Sequence, residues 1–132
     1  MPCGHYTLTR RFSSKEEKRR IVAAVFDPVA IEAEHIGFEN HLNVFHAHGH
    51  GLRPEIARGL AIYLNSTLVD QYFRSFNGHT QVNATDLRSL HYPSLEVLGI
   101  LGAACSGREL PSQAAVDSLV HEIVFRPAHS GA

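Results

Sequence analysis

The sequence predicts a mixed α/β (α+β) domain: a small N-terminal β-sheet, a central helical pair and a C-terminal helix. Three observations carry this. Short segments before residue 48 alternate apolar and polar side chains or form brief apolar runs, as strands do. From Pro54 the apolar period lengthens to that of a helix and holds to Phe76. A last apolar stripe, Val116, Leu119, Val120 and Ile123, follows the helix-starting Leu110-Pro111-Ser112.

HYTLTRRF (5–12) places Tyr6 and Leu8 on one face and Thr7 and Thr9 on the other, a strand pattern. IVAAVF (21–26), closed by Asp27-Pro28, reads as a strand buried on both faces. HLNVFHA (41–47) alternates again, with Leu42 and Val44 opposite Asn43 and Phe45. Pro54 suits the first turn of a helix carrying Ile56, Leu60, Tyr63 and Leu64. Asn65 and Ser66 break and re-cap the chain. Val69, Tyr72, Phe73 and Phe76 then continue to the stop at Asn77-Gly78, and their spacing assigns all three aromatic residues to the core. Beyond lie a loop, a helical turn near Thr85–Leu87 and a strand around Ser89–Tyr92. Ser94–Ala104 is weakly helical because Gly99 and Gly102 lower propensity. One domain, 1–132, is expected: mainly β over 1–47, a helical pair over 54–77, a loop and strand over 78–93, helical structure over 94–126 and a frayed tail over 127–132.

With 44% hydrophobic and 19% charged residues in 132, a packed core is expected and wholesale disorder is not. No apolar run approaches the ~20 residues of a membrane span. Nothing resembles a secretory leader, and two cysteines are too few for a disulfide framework. A cytoplasmic location follows as the expectation. Net charge is −1 but uneven: residues 1–20 hold six bases and two acids, and the rest six bases and eleven acids. That basic end admits an anionic partner.

Ten histidines are the compositional oddity. His46, His48 and His50 in HAHGH would share one face of a strand, and His48, His50 and Glu55 give H-x-H-x4-E, the ligand spacing of the cupin metal site. Glu55 opens a helix beside Pro54, however, where a cupin would continue as β-structure. Polar loop histidines are the simpler account, and a small metal-dependent enzyme on His46, His48, His50 and Glu55 is the alternative. Cys3 and Cys105 sit in no nucleophile context, and neither G-x-S-x-G nor a phosphate-cradling glycine motif occurs.

The segment LAIYLNSTLVDQYFRSFNGHTQVNATDLRSLHYP (60–93) is different in kind. An aromatic-faced helix delivers the chain to Gly78, and a run of donors and acceptors follows: His79, Thr80, Gln81, Asn83, Thr85, Asp86 and Arg88. Such side chains can read base edges and pair with phosphates, or can merely cap a turn.

This segment resembles the C-terminal, target-recognition region of adenine-specific DNA methyltransferases of restriction-modification systems, whose pattern is LNS-x3-D-x-YFR-x-x-x-G-x-TQVNATDLR-x-L-x-YP. The likeness extends to TRRFSSKEEKRRIVAAVFDP (9–28), IGFENHLNVFH (36–46) and LPSQ (110–113), so it spans most of the chain. A weaker one runs to the target-recognition domains of type I specificity subunits, which share a D-L-x-x-L-x-x-P ending.

The resemblance implies a DNA-recognition part without the reaction centre. Family members methylate adenine N6 with S-adenosylmethionine, using an N-P-P-Y-type motif and a glycine-containing cofactor loop. Neither occurs here, so no catalytic residue is assigned, no cofactor is expected on this chain, and S-adenosylmethionine belongs to a partner catalytic domain or subunit. The implied partner is double-stranded DNA. Arg10, Arg11, Lys15, Lys18, Arg19 and Arg20 are the candidates for phosphates, and Arg74, His79, Thr80, Gln81, Asn83 and Arg88 for bases or backbone. An inactive methyltransferase remnant is a further alternative.

Overall fold

The computed structural model describes residues 5–10, 21–26, 42–46, 50–76, 82, 84–104 and 110–125. The order of elements is β1 (Tyr6–Arg10), β2 (Ala23–Phe26), β3 (Leu42–Phe45), α1 (Pro54–Leu64), α2 (Thr67–Phe76), α3 (Ala84–Arg88), α4 (Leu95–Ala103) and α5 (Gln113–Val120). One turn of π-helix over His121–Phe125 follows α5. The expected mixed α/β architecture, with the sheet first and the helices after it, is thus present. No described helix is long and apolar enough to cross a membrane. The expected frayed tail lies outside the described residues.

The sheet is antiparallel in the order β2-β1-β3. Register pairs Thr7 with Val25 and Phe45, and Thr9 with Ala23 and Asn43, so these side chains share one face. That face meets α1: the Thr7 hydroxyl donates to the carbonyl of Ala57 at 2.7 Å. Thr7 and Thr9 are fully buried, so the polar half of the alternation in β1 lies inward. The threonines are β-branched and shape the sheet surface as valines would, and Thr7 satisfies its hydroxyl on a helix carbonyl.

The expectation that 21–26 is buried on both faces is corrected. Ile21 and Ala23 are buried, but Ala24 is exposed and β2 is the edge of the sheet. Alanine loses little by facing water, so an apolar run need not mean two covered faces.

α1 is the central element. Pro54 occupies its first turn, where a missing N–H costs nothing, and every residue from Gly59 to Leu64 is buried. The sheet covers one side and α4 another. The crossing of α1 and α4 is close because both helices bring glycine to it. A Cβ on Gly59 would overlap the Leu98 carbonyl oxygen, and one on Gly102 would overlap the Glu55 carbonyl oxygen. α4 therefore forms despite its glycines, capped by Ser94, whose hydroxyl accepts the Val97 N–H at 3.2 Å.

The junction between α1 and α2 is tied to α5. Ser66 caps α2 by accepting the Val69 N–H at 3.3 Å while donating to the Tyr63 carbonyl at 2.7 Å. Asp117 of α5 accepts from the Thr67 N–H (2.8 Å) and hydroxyl (2.7 Å), placing a carboxylate at the positive end of α2. Gln113 donates to the Asn65 carbonyl at 2.8 Å. Ser112 caps α5 through the Ala115 N–H, as Leu-Pro-Ser leads one to expect.

The strand expected at Ser89–Tyr92 is absent. The Ser89 and Leu90 amides turn back onto the carbonyls of Asp86 and Leu87, closing off α3. Tyr92 then folds over the same turn, its hydroxyl donating to the Leu87 carbonyl at 2.7 Å. Amides spent on a helix end cannot enter a ladder, and Pro93 has none to give.

Candidate nucleic-acid interface

Val82, Leu87 and Leu90 are buried and pin the segment around α3 to the core. Between them Ala84, Thr85 and Arg88 face solvent. Residues of the donor-rich segment therefore alternate between anchor and surface. Asn43 of β3 donates its amide to the Val82 carbonyl at 2.7 Å, fixing the approach to α3 against the sheet edge. The Phe45 and Tyr92 rings meet edge-on with centroids 6.3 Å apart, and Tyr63 and Tyr92 follow at 6.0 Å.

These contacts leave an open cleft of about 250 Å³ between the end of β3 and α3. Asn43, Val44, Phe45 and His46 form one wall, and Ala84, Leu87, Arg88 and Tyr92 the other. Arg88 and His46 are both exposed. The cleft thus joins a guanidinium, an imidazole and an aromatic ring in each wall, a combination suited to an anionic, π-faced ligand. Burial pushes the phenols of Tyr63 and Tyr92 above the ordinary value of 10, with a smaller contribution from the neighbouring phenol in each case (Tyr72 beside Tyr63, Tyr63 beside Tyr92). Both rings stay neutral at physiological pH, and of the two Tyr92 lines the cleft.

Of the residues singled out for DNA, the structure brings Arg88 into the cleft but not Arg74. Arg74 lies on α2, with its Nε donating to Asp70 Oδ2 at 2.9 Å in a half-buried ion pair. Arg10 closes β1, and its side chain lies outside what is described. Arg11, Lys15, Lys18, Arg19, Arg20, His79, Thr80, Gln81 and Asn83 lie outside the described residues. For the metal alternative, His46 and His50 are exposed, Glu55 pairs with Arg53 at 3.3 Å and His48 is outside the described residues. Among the described residues no group of three metal-ligating side chains converges.

Three residues take places that the sequence did not predict. Asn43 and His46 enter the cleft because register places the end of β3 beside α3, a relation between segments some 40 residues apart that periodicity does not encode. Tyr72, assigned to the core by spacing, is instead exposed, whereas Phe73 is fully buried. At about 100° per residue, Tyr72 lies on the flank of the Val69–Phe73 stripe next to Leu68. The side chain of Phe76 lies outside what is described.

No family model and no solved structure matches the chain. Two curated proteins do. The type II methyltransferase M.BsuBI of Bacillus subtilis is 52% identical over 125 residues, 94% of this chain and 25% of its own length. The type II methyltransferase M.PstI of Providencia stuartii is 56% identical over 98 residues, 74% of this chain and 19% of its own length. The chain is therefore a relative of the type II methyltransferases M.BsuBI and M.PstI, and it spans a quarter or less of the length of each.

Proposed function

We propose that this chain is the DNA-recognition part of a site-specific adenine-N6 methyltransferase of a restriction-modification system. It binds duplex DNA and helps select the base that a methyltransferase catalytic domain or subunit outside these residues methylates. The observation that carries the reading is the cleft between β3 and α3, lined by exposed Arg88 and His46 together with Phe45 and Tyr92, all within the segments that bear the methyltransferase resemblance. Arg88 is suited to a guanine edge or a phosphate, and Thr85 on the same exposed helix to either. Arg10, Arg11, Lys15, Lys18, Arg19 and Arg20 supply phosphate contacts from the basic end of the sequence. His79, Thr80, Gln81 and Asn83 read bases or backbone from the run that leads into α3, and Arg74, held by Asp70, supports them from α2.

On this reading the chain does not transfer methyl groups by itself. Extruding a base from the duplex costs a few kcal/mol, and a recognition part that grips both flanks of the target offsets that cost for its catalytic partner. With a net charge of −1, binding by the isolated chain is weak and strongly salt-dependent. Fluorescence anisotropy with a labelled duplex tests this. Binding at about 20 mM salt that fades toward physiological ionic strength is expected, and no binding at the low salt overturns the proposal.

A further inference from the structure

The opposite side of the Leu90–Tyr92 segment carries a second depression unlike the first. Tyr63, Leu68, Val69, Tyr72, Leu90 and His91 line a groove of about 400 Å³. Leu68 and Tyr72, one turn apart on α2, are 49% and 47% exposed. The Tyr72 ring packs at 6.2 Å from that of His91, and Tyr63 donates its hydroxyl to the His91 carbonyl at 2.5 Å, which holds the far wall in place. No lysine, arginine or carboxylate is among the described residues that line it. Among these described residues a phosphate would find no lysine or arginine, whereas an apolar protein surface would find a matching one.

The length of M.BsuBI points to a partner. In M.BsuBI the segment matched to this chain is 25% of the polypeptide, so there it shares a chain with a remainder three times its size. We propose that the Leu68–Tyr72 groove seats that remainder, an apolar ridge of the methyltransferase polypeptide that carries out methyl transfer. The inference rests on the recognition reading above and adds the surface on which the two parts meet. The groove and the cleft share one thin wall: His91 faces the groove and Tyr92 the cleft. A catalytic part held against His91 therefore sits within one residue's reach of nucleic acid held beside Tyr92 and Arg88. This adjacency would keep recognition and reaction in register.

M.BsuBI shortened by its matched quarter, in a form that melts cooperatively, is titrated with this chain by calorimetry. A defined one-to-one complex is expected. Leu68→Asp and Tyr72→Asp are expected to weaken it at least tenfold, while Ile100→Asp, at a 52% exposed site on α4, leaves it unchanged. All three sites are about half exposed, so the variants retain the parent's cooperative melt. Absence of a complex, equal weakening by all three substitutions, or no weakening by the first two overturns the proposal. So does loss of duplex binding in Tyr72→Asp with the protein complex intact, which would make the groove a base-stacking site. If the wild-type chain docks but binds no duplex at low salt, the recognition reading fails while the docking surface stands.

Discussion

The side-chain amide of Asn65 pairs with the backbone of Ala23 as a neighbouring strand would: Oδ1 accepts the Ala23 N–H at 2.8 Å and Nδ2 donates to the Ala23 carbonyl at 2.9 Å. Ala23 lies on β2, the edge strand, and directs these groups away from β1. An unpaired edge invites aberrant pairing, and a buried one costs desolvation, so the amide removes both problems at one point. Because Asn65 directly follows α1, the same contact fixes where the central helix ends over the sheet.

Replacing Asn65 tests that arrangement. Asn65→Ala orphans a buried N–H and a buried carbonyl, and a loss of about 2 kcal/mol or more is expected in urea unfolding. Asn65→Asp is at least as damaging at neutral pH, because a carboxylate can accept the N–H but faces the carbonyl with a lone pair. Protonation restores a donor, so the Asp variant's deficit should shrink as pH falls toward ~4 and be smallest below it. The sign follows from a carboxyl whose pKa is raised in the folded state and whose stability contribution is present at low pH.

The helix crossing makes a second prediction by contrast between glycines on α1 and α4. Gly59→Ala and Gly102→Ala set a methyl against backbone carbonyls that cannot move without parting the helices. Either variant should lose about 3 kcal/mol or more, or fail to fold, as severe overpacking does. At Gly99 the nearest atoms to an added Cβ are side-chain carbons of Ile56 and Glu55 at 3.7 and 3.8 Å, ordinary contact distances. Gly99→Ala should therefore be neutral or stabilising by up to ~1 kcal/mol from helix propensity. Thermal melts of the three variants decide the matter.

Those glycines also show why sequence reading stopped where it did. Local signals were legible: Pro54 at a helix start, Asn65-Ser66 at a junction, Ser112 at a cap, the alternation of β1 and β3 and the apolar run of β2 all report on neighbours within a few residues. Gly99 and Gly102 read as helix weakeners because propensity is local, whereas Gly102 is in fact half of a contact with α1. The alternation of β1 separates Thr7 and Thr9 from Tyr6 and Leu8 but does not tell which face lies inward, since hydropathy does not reveal that a carbonyl of α1 is waiting for the Thr7 hydroxyl. Arg88 was recognisable as a surface base within a polar run. Its partners Asn43 and His46 were not, because they reach the cleft only through the β1–β3 register.

Alkaline pH should destabilise the fold through Tyr63 and Tyr92. Each phenol has a folded pKa above the ordinary 10, so the unfolded chain releases its protons first as pH rises. Their contribution is intact below pH ~10 and is lost progressively above it. Melting temperature is expected to fall across that range, and Tyr63→Phe and Tyr92→Phe should each flatten the fall. Tyr92→Phe also removes the hydroxyl donor to the Leu87 carbonyl, so it should start from a lower stability at neutral pH, by ~1 kcal/mol. Melts followed by circular dichroism, with phenolate absorbance recorded in parallel, separate the two effects.

Arg88 and Arg74 make opposite predictions, although both were candidates for DNA on the same grounds. Arg88 is exposed at the cleft, so Arg88→Ala should leave the melting temperature within about a degree while weakening duplex binding. If the guanidinium contacts a phosphate, binding falls uniformly across sequences and the dependence of log K on log salt becomes shallower by about one unit. If it reads a guanine edge, about 1–3 kcal/mol is lost on the preferred site only and the slope stays put. Arg74 instead pairs with Asp70, a buried carboxylate on the same helix. Arg74→Ala strips that carboxylate of its cation and should lower stability by ~1 kcal/mol or more before any effect on DNA. Anisotropy titrations at three salt concentrations, run beside urea unfolding of both variants, distinguish a contact residue from a structural one. Equal loss of duplex binding in the two variants without loss of stability would show that Arg74, despite its ion pair, belongs to the interface.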